Sequence, residues 1–249
     1  ARSDRSARHR KLIATMQNTL PVASADKPHA YSQAEREALY KAIAQRRDMR
    51  HFTPGAAVPP ATLLRILQAA HMAPSVGFMQ PWRFLRLTQS TQREAVAQVV
   101  AQEQQATAEA LGERKAEFLR LKVEGIRDCA ELIACCLMPQ REAHIFGRRT
   151  MPYMDIASIG CALQNLWLAA RAEGLGLGWV SIFDPVELAQ VLQLPQDAQP
   201  LALLCIGPVP AFYEEPMLQQ ERWAKRQPLA DVLFDDHWGQ PSALFAQQS

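Results

Sequence analysis

The apolar positions of this chain change period several times, and each change marks an element. From Ser32 the spacing is helical: Leu39, Ala42 and Ile43 recur three and four residues apart. Ser32-Gln33-Ala34-Glu35 ahead of them has the form of a capping box, in which hydroxyl and carboxylate satisfy each other's backbone N–H groups. Pro59-Pro60 opens a second helix, with Leu63, Leu64, Leu67 and Ala70 on one side and a stop before Pro74. Trp82 to Leu87 reads as a first strand. A long polar helical stretch follows, from another capping pattern at Thr91 and Glu94 to about Arg127, with a break at Gly112. Glu131 to Met138 is an unbroken apolar run, as expected of a strand buried on both faces. Met154 to Glu173 is helical again: Ile156, Ile159, Leu163, Leu166, Trp167 and Ala170 form its stripe, and Gly174 is the stop. Leu177 to Ile182 and Leu201 to Ile206 are two further strands, joined through a short helix near Val186 to Leu192. Beyond Pro208 the chain is rich in Pro, Trp and charge and reads as a wrapping arm.

This alternation predicts one α+β domain over residues 31–249, a sheet flanked by helices. Residues 1–30 carry Arg2, Arg5, Arg8, Arg10 and Lys11, then Pro21 and Pro28, without sustained periodicity. They are expected to form a basic, disordered, solvated extension.

Bulk properties exclude more than they assign. With 249 residues, 48% hydrophobic and 21% charged, the chain can bury a substantial core. A net charge of +2 without a concentrated basic face argues against a nucleic-acid partner. The five cysteines (Cys129, Cys135, Cys136, Cys161 and Cys205) form no C-x-x-C pair, and the histidine spacing fits no zinc finger, so no metal is expected. Most lie in apolar segments, which points to a reducing, cytoplasmic setting. No apolar run reaches the roughly 18 residues of a membrane span, and the start lacks the apolar core of a secretion signal.

Four places carry candidate chemistry. In Arg46-Arg47-Asp48-Met49-Arg50-His51-Phe52, three arginines surround one carboxylate where the first helix ends. Guanidinium donors suit a phosphate. Asp48 would repel it, so Asp48 is either a local ion-pair partner or faces another part of the ligand and does chemistry there. The second place is the loop Ala73-Pro74-Ser75-Val76-Gly77-Phe78-Met79-Gln80-Pro81 before Trp82, which could turn backbone and side-chain donors to a ligand, or simply connect two elements. In the third, Gly174-Leu175-Gly176-Leu177-Gly178-Trp179-Val180-Ser181, glycines follow a helix and enter a strand. A dinucleotide fingerprint needs the reverse order. Here the glycines allow close backbone approach and Ser181 presents a hydroxyl. The fourth is Lys225-Arg226, which alone is surface charge. His71 and His144 are possible acid–base groups, and no hydrolase motif is present.

Taken in order, these segments resemble the FMN-binding nitroreductase superfamily, and within it the branch of 5,6-dimethylbenzimidazole synthases. The matching pieces are Arg46 to Arg50 with Phe52, Ala73 to Trp82, Gln164-Asn165-Leu166-Trp167-Leu168-Ala169-Ala170-Arg171, and Gly178-Trp179-Val180-Ser181-Ile182-Phe183. The resemblance implies a mostly antiparallel sheet flanked by helices, and an intertwined homodimer with FMN at the subunit interface. Reduced FMN would be the substrate, supplied by a separate flavin reductase and fragmented with molecular oxygen. By matching position, Arg46, Arg47, Met49, Arg50, Ser75, Gln80, Trp82 and Arg226 are expected to bind the flavin, with Arg46, Arg50 and Arg226 at its phosphate or ribityl end. Asp48 and Ser181 are expected to bind it and to be needed for turnover. Phe78, Met79, Trp82 and Trp179 would wall the site, and the stretch from Thr91 to Arg127 would cover it. The alternative within the same fold is an NAD(P)H-dependent nitroreductase or flavin reductase.

Overall fold

The computed structural model describes residues 29–246. Internal contacts divide the chain into two units, residues 1–40 and 41–249. All but the last two residues of the expected basic extension therefore lie outside the described residues. In the first unit the capping box forms: the Ser32 N–H donates to Glu35 Oε2 (2.9 Å) and the Glu35 N–H to Ser32 Oγ (3.4 Å). It starts helix α1 (Gln33–Gln45), which buries none of its residues, so Leu39 and Ile43 stay exposed.

The second unit is built on four strands, β1 (Trp82–Arg86), β2 (Glu131–Leu137), β3 (Gly176–Val180) and β4 (Gln199–Gly207), in the order β1-β2-β4-β3. Every pairing is antiparallel. Helices α2 (Pro60–His71), α3 (Ser90–Ala110), α4 (Lys115–Leu119), α5 (Met154–Ala172), α6 (Pro185–Val191) and α7 (Met217–Gln220) complete it. The two central strands read as apolar throughout because both of their faces are covered. Ile133, Cys135, Leu137, Leu204 and Ile206 share a core with Ile66 of α2 and with Leu163 and Leu166 of α5. Leu132, Ala134, Cys136, Leu203 and Cys205 share the opposite core with Val96, Val99 and Val100 of α3 and Leu188 of α6. Each fully buried Leu or Ile contributes about 1.5–3 kcal/mol, so these layers hold the sheet as a rigid platform.

Two expectations fail along the long polar stretch. The helix breaks before Gly112 as expected, ending at Ala110, but after one turn at Gly112–Arg114 and the short α4 the chain is irregular to Ala130 rather than helical to Arg127. Gly112 takes a φ of +55° and redirects the chain. Phe118, Leu121 and Val123 then fold back on Ala108 as a separate small core. The carbonyls left without helical partners find Arg93, which donates to the oxygens of Ile126 (2.9 Å) and Cys129 (2.6 Å). The capping pattern at Thr91 and Glu94 does not form either. The helix starts after Gln89 without a side-chain cap, and Glu94 pairs with Arg127 instead (2.8 Å).

The arginine motif lies along the outer side of β3. The Met49 N–H donates to the Leu177 carbonyl (2.9 Å), and Asp48 bridges Leu177 in parallel sense. A Cβ at Gly178 would overlap the Met49 carbonyl oxygen and come within 2.7 Å of Arg50 Nη1. The glycine is there because another backbone occupies the space of a side chain. Gly178→Ala is expected to cost about 2–3 kcal/mol through this overlap, read as a lower midpoint of urea unfolding.

Candidate active site

A cavity of about 530 Å³ opens where the arginine motif, the end of β3 and two later segments meet. Arg46, Arg47, Asp48 and Arg50 line it from the motif, and Trp179, Val180, Ser181 and Ile182 from β3 and the residues after it. Phe118, Leu121 and Val123 come from the small third core, and Trp167 from α5. The C-terminal segment adds Pro216, Met217, Leu218, Trp223 and Arg226. One region is therefore cationic and the rest largely apolar.

Each arginine of the motif is held differently. Arg46 lies over the Trp167 ring, 4.6 Å from its centroid. Burial pulls its pKa below the ordinary arginine value, Asp48 opposes that and Arg226 adds to it. Arg47 spends its guanidinium on backbone, donating to the carbonyls of Ala44, Arg46 and Glu214, each at 2.8 Å. Arg50 is buried, and both of its terminal nitrogens reach Asp48, at 2.6 and 2.7 Å. It also donates to the Trp179 carbonyl (2.8 Å). The Nε atoms of Arg47 and Arg50 are buried without a hydrogen-bond partner.

Asp48 thus takes the first of its two possible roles, ion pairing, without being withdrawn from the cavity. Its Oδ1 also accepts the Trp179 N–H (2.9 Å), yet the side chain keeps 43% of its surface. That surface lines the cavity. The resulting loss of hydration pushes the carboxyl above the ordinary aspartate range, against the pull of Arg50, the Trp179 N–H and Arg46. Ser181 is exposed on the same cavity.

The structure brings together Arg46, Arg47, Asp48, Arg50, Ser181 and Arg226, and does not bring the remaining candidates to them. Met49 is fully buried in the core with Phe52. Ser75 Oγ accepts the Gln80 N–H (3.0 Å), and the Trp82 indole N–H points to His71 Nδ1 (3.1 Å), so His71 serves the loop. Gln80 and Trp82 line a separate hollow of about 420 Å³ with Met79 and Arg83. Of the four side chains expected as walls, only Trp179 lines the larger cavity; Phe78 is 82% exposed. Sequence reasoning missed Trp167 as more than core. Its indole N–H donates to the Arg47 carbonyl (3.1 Å) while its face carries Arg46. Tyr213 was also missed: its hydroxyl accepts the Arg50 N–H (3.1 Å) and pairs with His51 Nδ1 (2.6 Å). The signals for the first were its place in the helical stripe and in the matched segment Gln164 to Arg171, and Tyr213 had none.

A model described as the nitroreductase family matches residues 43–208, and the chain belongs to that family. It is 37% identical over 196 residues to the 5,6-dimethylbenzimidazole synthase of Rhodospirillum rubrum, covering 78% of this chain and 92% of the relative. To the 5,6-dimethylbenzimidazole synthase of Rhodobacter capsulatus it is 37% identical over 201 residues, covering 80% of this chain and 96% of the relative. Among solved structures, a BluB-like flavoprotein from Clostridium difficile shares the fold with a TM-score of 0.62 at 18% identity, covering 80% of this chain and 99% of that one.

Arg50→Gln removes both the charge and the forked hydrogen bonds that favour ionised Asp48. The Asp48 pKa is expected to rise further, measured by carbon-detected NMR titration of aspartate carboxyls with Asp48→Asn as the assignment standard.

Proposed function

We propose that the chain is a 5,6-dimethylbenzimidazole synthase, an enzyme that fragments reduced FMN to 5,6-dimethylbenzimidazole and erythrose 4-phosphate. The observation that carries this reading is a carboxylate, Asp48, held at the wall of a cavity that also has a cluster of arginines. A phosphate accounts for Arg46 and Arg226. It does not account for a carboxylate among them, whereas a ligand carbon that must lose a proton does. The names of the curated relatives support the same reading.

The lining fits a flavin with a phosphate tail. Arg46 and Arg226 form the anion-binding end, while Trp179, Val180, Ile182, Phe118 and Leu121 offer apolar surface to a flat ring system. Reduced FMN supplies the carbon of both products, with oxygen as the oxidant, and the ribityl C1′ becomes C2 of the benzimidazole. Asp48 acts there as the general base that removes the C1′ proton. Loss of hydration at the cavity wall raises its pKa, which makes the carboxylate a stronger base than a free aspartate. Arg50 fixes the orientation of the carboxylate through two bonds, and Ser181 orients it or a ribityl hydroxyl. The apolar walls keep water from the reacting centre.

A second copy of the chain completes the site. The loop bearing Ser75, Gln80 and Trp82 lies in a hollow apart from the cavity on its own chain, so its flavin contacts are made to the partner's cavity. Exposed Phe78, Phe146 and Tyr153 supply apolar surface for such pairing, and the C-terminal arm, with exposed Trp238, embraces the partner. A separate flavin reductase supplies the reduced substrate. The setting is the cytoplasm, consistent with five free cysteines; burial pushes the Cys136 thiol up to about 12. Among the described residues no helix is long and apolar enough to cross a membrane, and no group of side chains could hold a metal.

Incubating the protein with pre-reduced FMN in air is expected to yield benzimidazole and tetrose phosphate, identified by mass. Recovery of oxidised FMN alone, the product of spontaneous reoxidation in air, would overturn the synthase reading, and rapid anaerobic bleaching of bound FMN by NADPH would instead indicate a flavin reductase. Asp48→Asn is expected to bind FMN within a few-fold of the unaltered protein while making product at least about 100-fold more slowly.

A further inference from the structure

The segment after Pro208 has a fixed root and a docked tip, and the cavity lies between them. At the root, Arg171 sits over the Phe212 ring (4.0 Å), Tyr213 accepts the Arg50 N–H (3.1 Å), and the Glu214 carbonyl accepts Arg47 (2.8 Å). The chain then passes Pro216, Met217 and Leu218 along the cavity and makes the single turn of α7. At the tip, the Trp223 ring lies beneath the Arg114 guanidinium, 3.5 Å from its centroid, and 6.3 Å from the Phe118 ring. This docking is on the small core of Ala108, Phe118, Leu121 and Val123, not on either main core of the sheet. Three residues later, Arg226 enters the cavity that Arg46 and Arg47 already line.

The charges make this arrangement conditional. Burial lowers the pKa of Arg46 and of Arg47, and the Arg226 charge lowers both further. Asp48 and Glu215 offset part of that repulsion, at Arg46 and Arg47 respectively. Bringing Arg226 in beside two cations is unfavourable while the cavity is empty. It becomes favourable when a dianion sits among them.

We propose that residues 215–226 form a strap that closes over the cavity in response to the phosphate of a bound flavin, with the Arg114–Trp223 stack as its latch. This rests on the flavin reading above and extends it: recognition of the phosphate by Arg226 and sealing of the ring end by Pro216, Met217, Leu218 and Trp223 are one event. Phosphorylated flavins are then selected at closure, and riboflavin binds beneath an open strap. A flavin that is consumed must be replaced in every cycle, so the latch has to break each time. A cation–π contact suits that demand, since it shifts an open–closed equilibrium by only about two-fold to thirty-fold.

Hydrogen exchange of residues 215–226, followed by mass spectrometry on the full chain, tests this. The amides of Gln219, Gln220 and Trp223, which donate to Pro216 and Leu218, are the reporters. Saturating oxidised FMN is expected to slow their exchange at least about tenfold, and saturating riboflavin to leave it near the ligand-free rate. Arg226→Gln should bind FMN more weakly and, at FMN raised to saturation by flavin fluorescence, lack the slowing. Arg114→Gln should reduce the slowing, and Arg114→Lys, which keeps the cation, should restore most of it. Equal slowing by FMN and riboflavin, or full slowing in Arg226→Gln, overturns the strap while leaving the flavin site intact. If riboflavin fails to bind, the Arg226→Gln result with FMN decides. If neither flavin binds, the flavin reading falls and the strap with it.

Discussion

The structure turns on how closely the backbone of Arg46 to Arg50 lies against β3. That contact exists only because Gly178 has no side chain. It aligns the Met49 N–H with the Leu177 carbonyl, and it brings Asp48 to the Trp179 N–H and Arg50 to the Trp179 carbonyl. The carboxylate and its guanidinium are therefore anchored to the same residue of the sheet, one through a donor and the other through an acceptor. A pair fixed in this way loses little freedom when a ligand arrives, which is what positioning catalysis requires.

The two main cores make this precision possible. Leu177 belongs to the core with α2 and α5, and Val180 to the core with α3 and α6, so β3 is clamped from both sides next to the cavity. The rest of the cavity wall is lighter. Phe118, Leu121 and Val123 stand on a core of their own, and the C-terminal segment has little regular structure. A rigid half carrying Asp48 and Arg50 thus faces a half with few buried contacts, the kind of region that opens at low cost.

Much of this was legible in the sequence, and the failures have specific causes. The sheet and the main helices follow from local patterns that tertiary contacts reinforce, and the capping box at Ser32 forms from its local pattern alone. The similar pattern at Thr91 and Glu94 did not form a cap, because Arg127, distant in sequence, offers Glu94 a forked partner. The break at Gly112 was legible, but the helix expected beyond it to Arg127 gives way where Phe118, Leu121 and Val123 fold back on Ala108. In the site, glycine spacing correctly pointed to close backbone approach at β3. The motif could not show that Arg47 and Arg50 use their donors within the protein, since their partners include Glu214 and Trp179, brought near only by folding. Nor could it show that the Ser75 to Trp82 loop and the arginines occupy different hollows of one chain.

Trp167 has a consequence for scale. One edge of its indole fixes the backbone at Arg47 and its face supports the guanidinium of Arg46, so α5 sets where the cationic end of the cavity lies. Asp48, at the other reference point, is tied to β3. Helix and strand are packed in one core, which makes the span between these two points a property of rigid elements rather than of a loop. Under the function proposed above, the cavity works as a gauge: a flavin held by its phosphate has its carbons counted off against the carboxylate, and a tail one carbon longer or shorter presents the wrong atom.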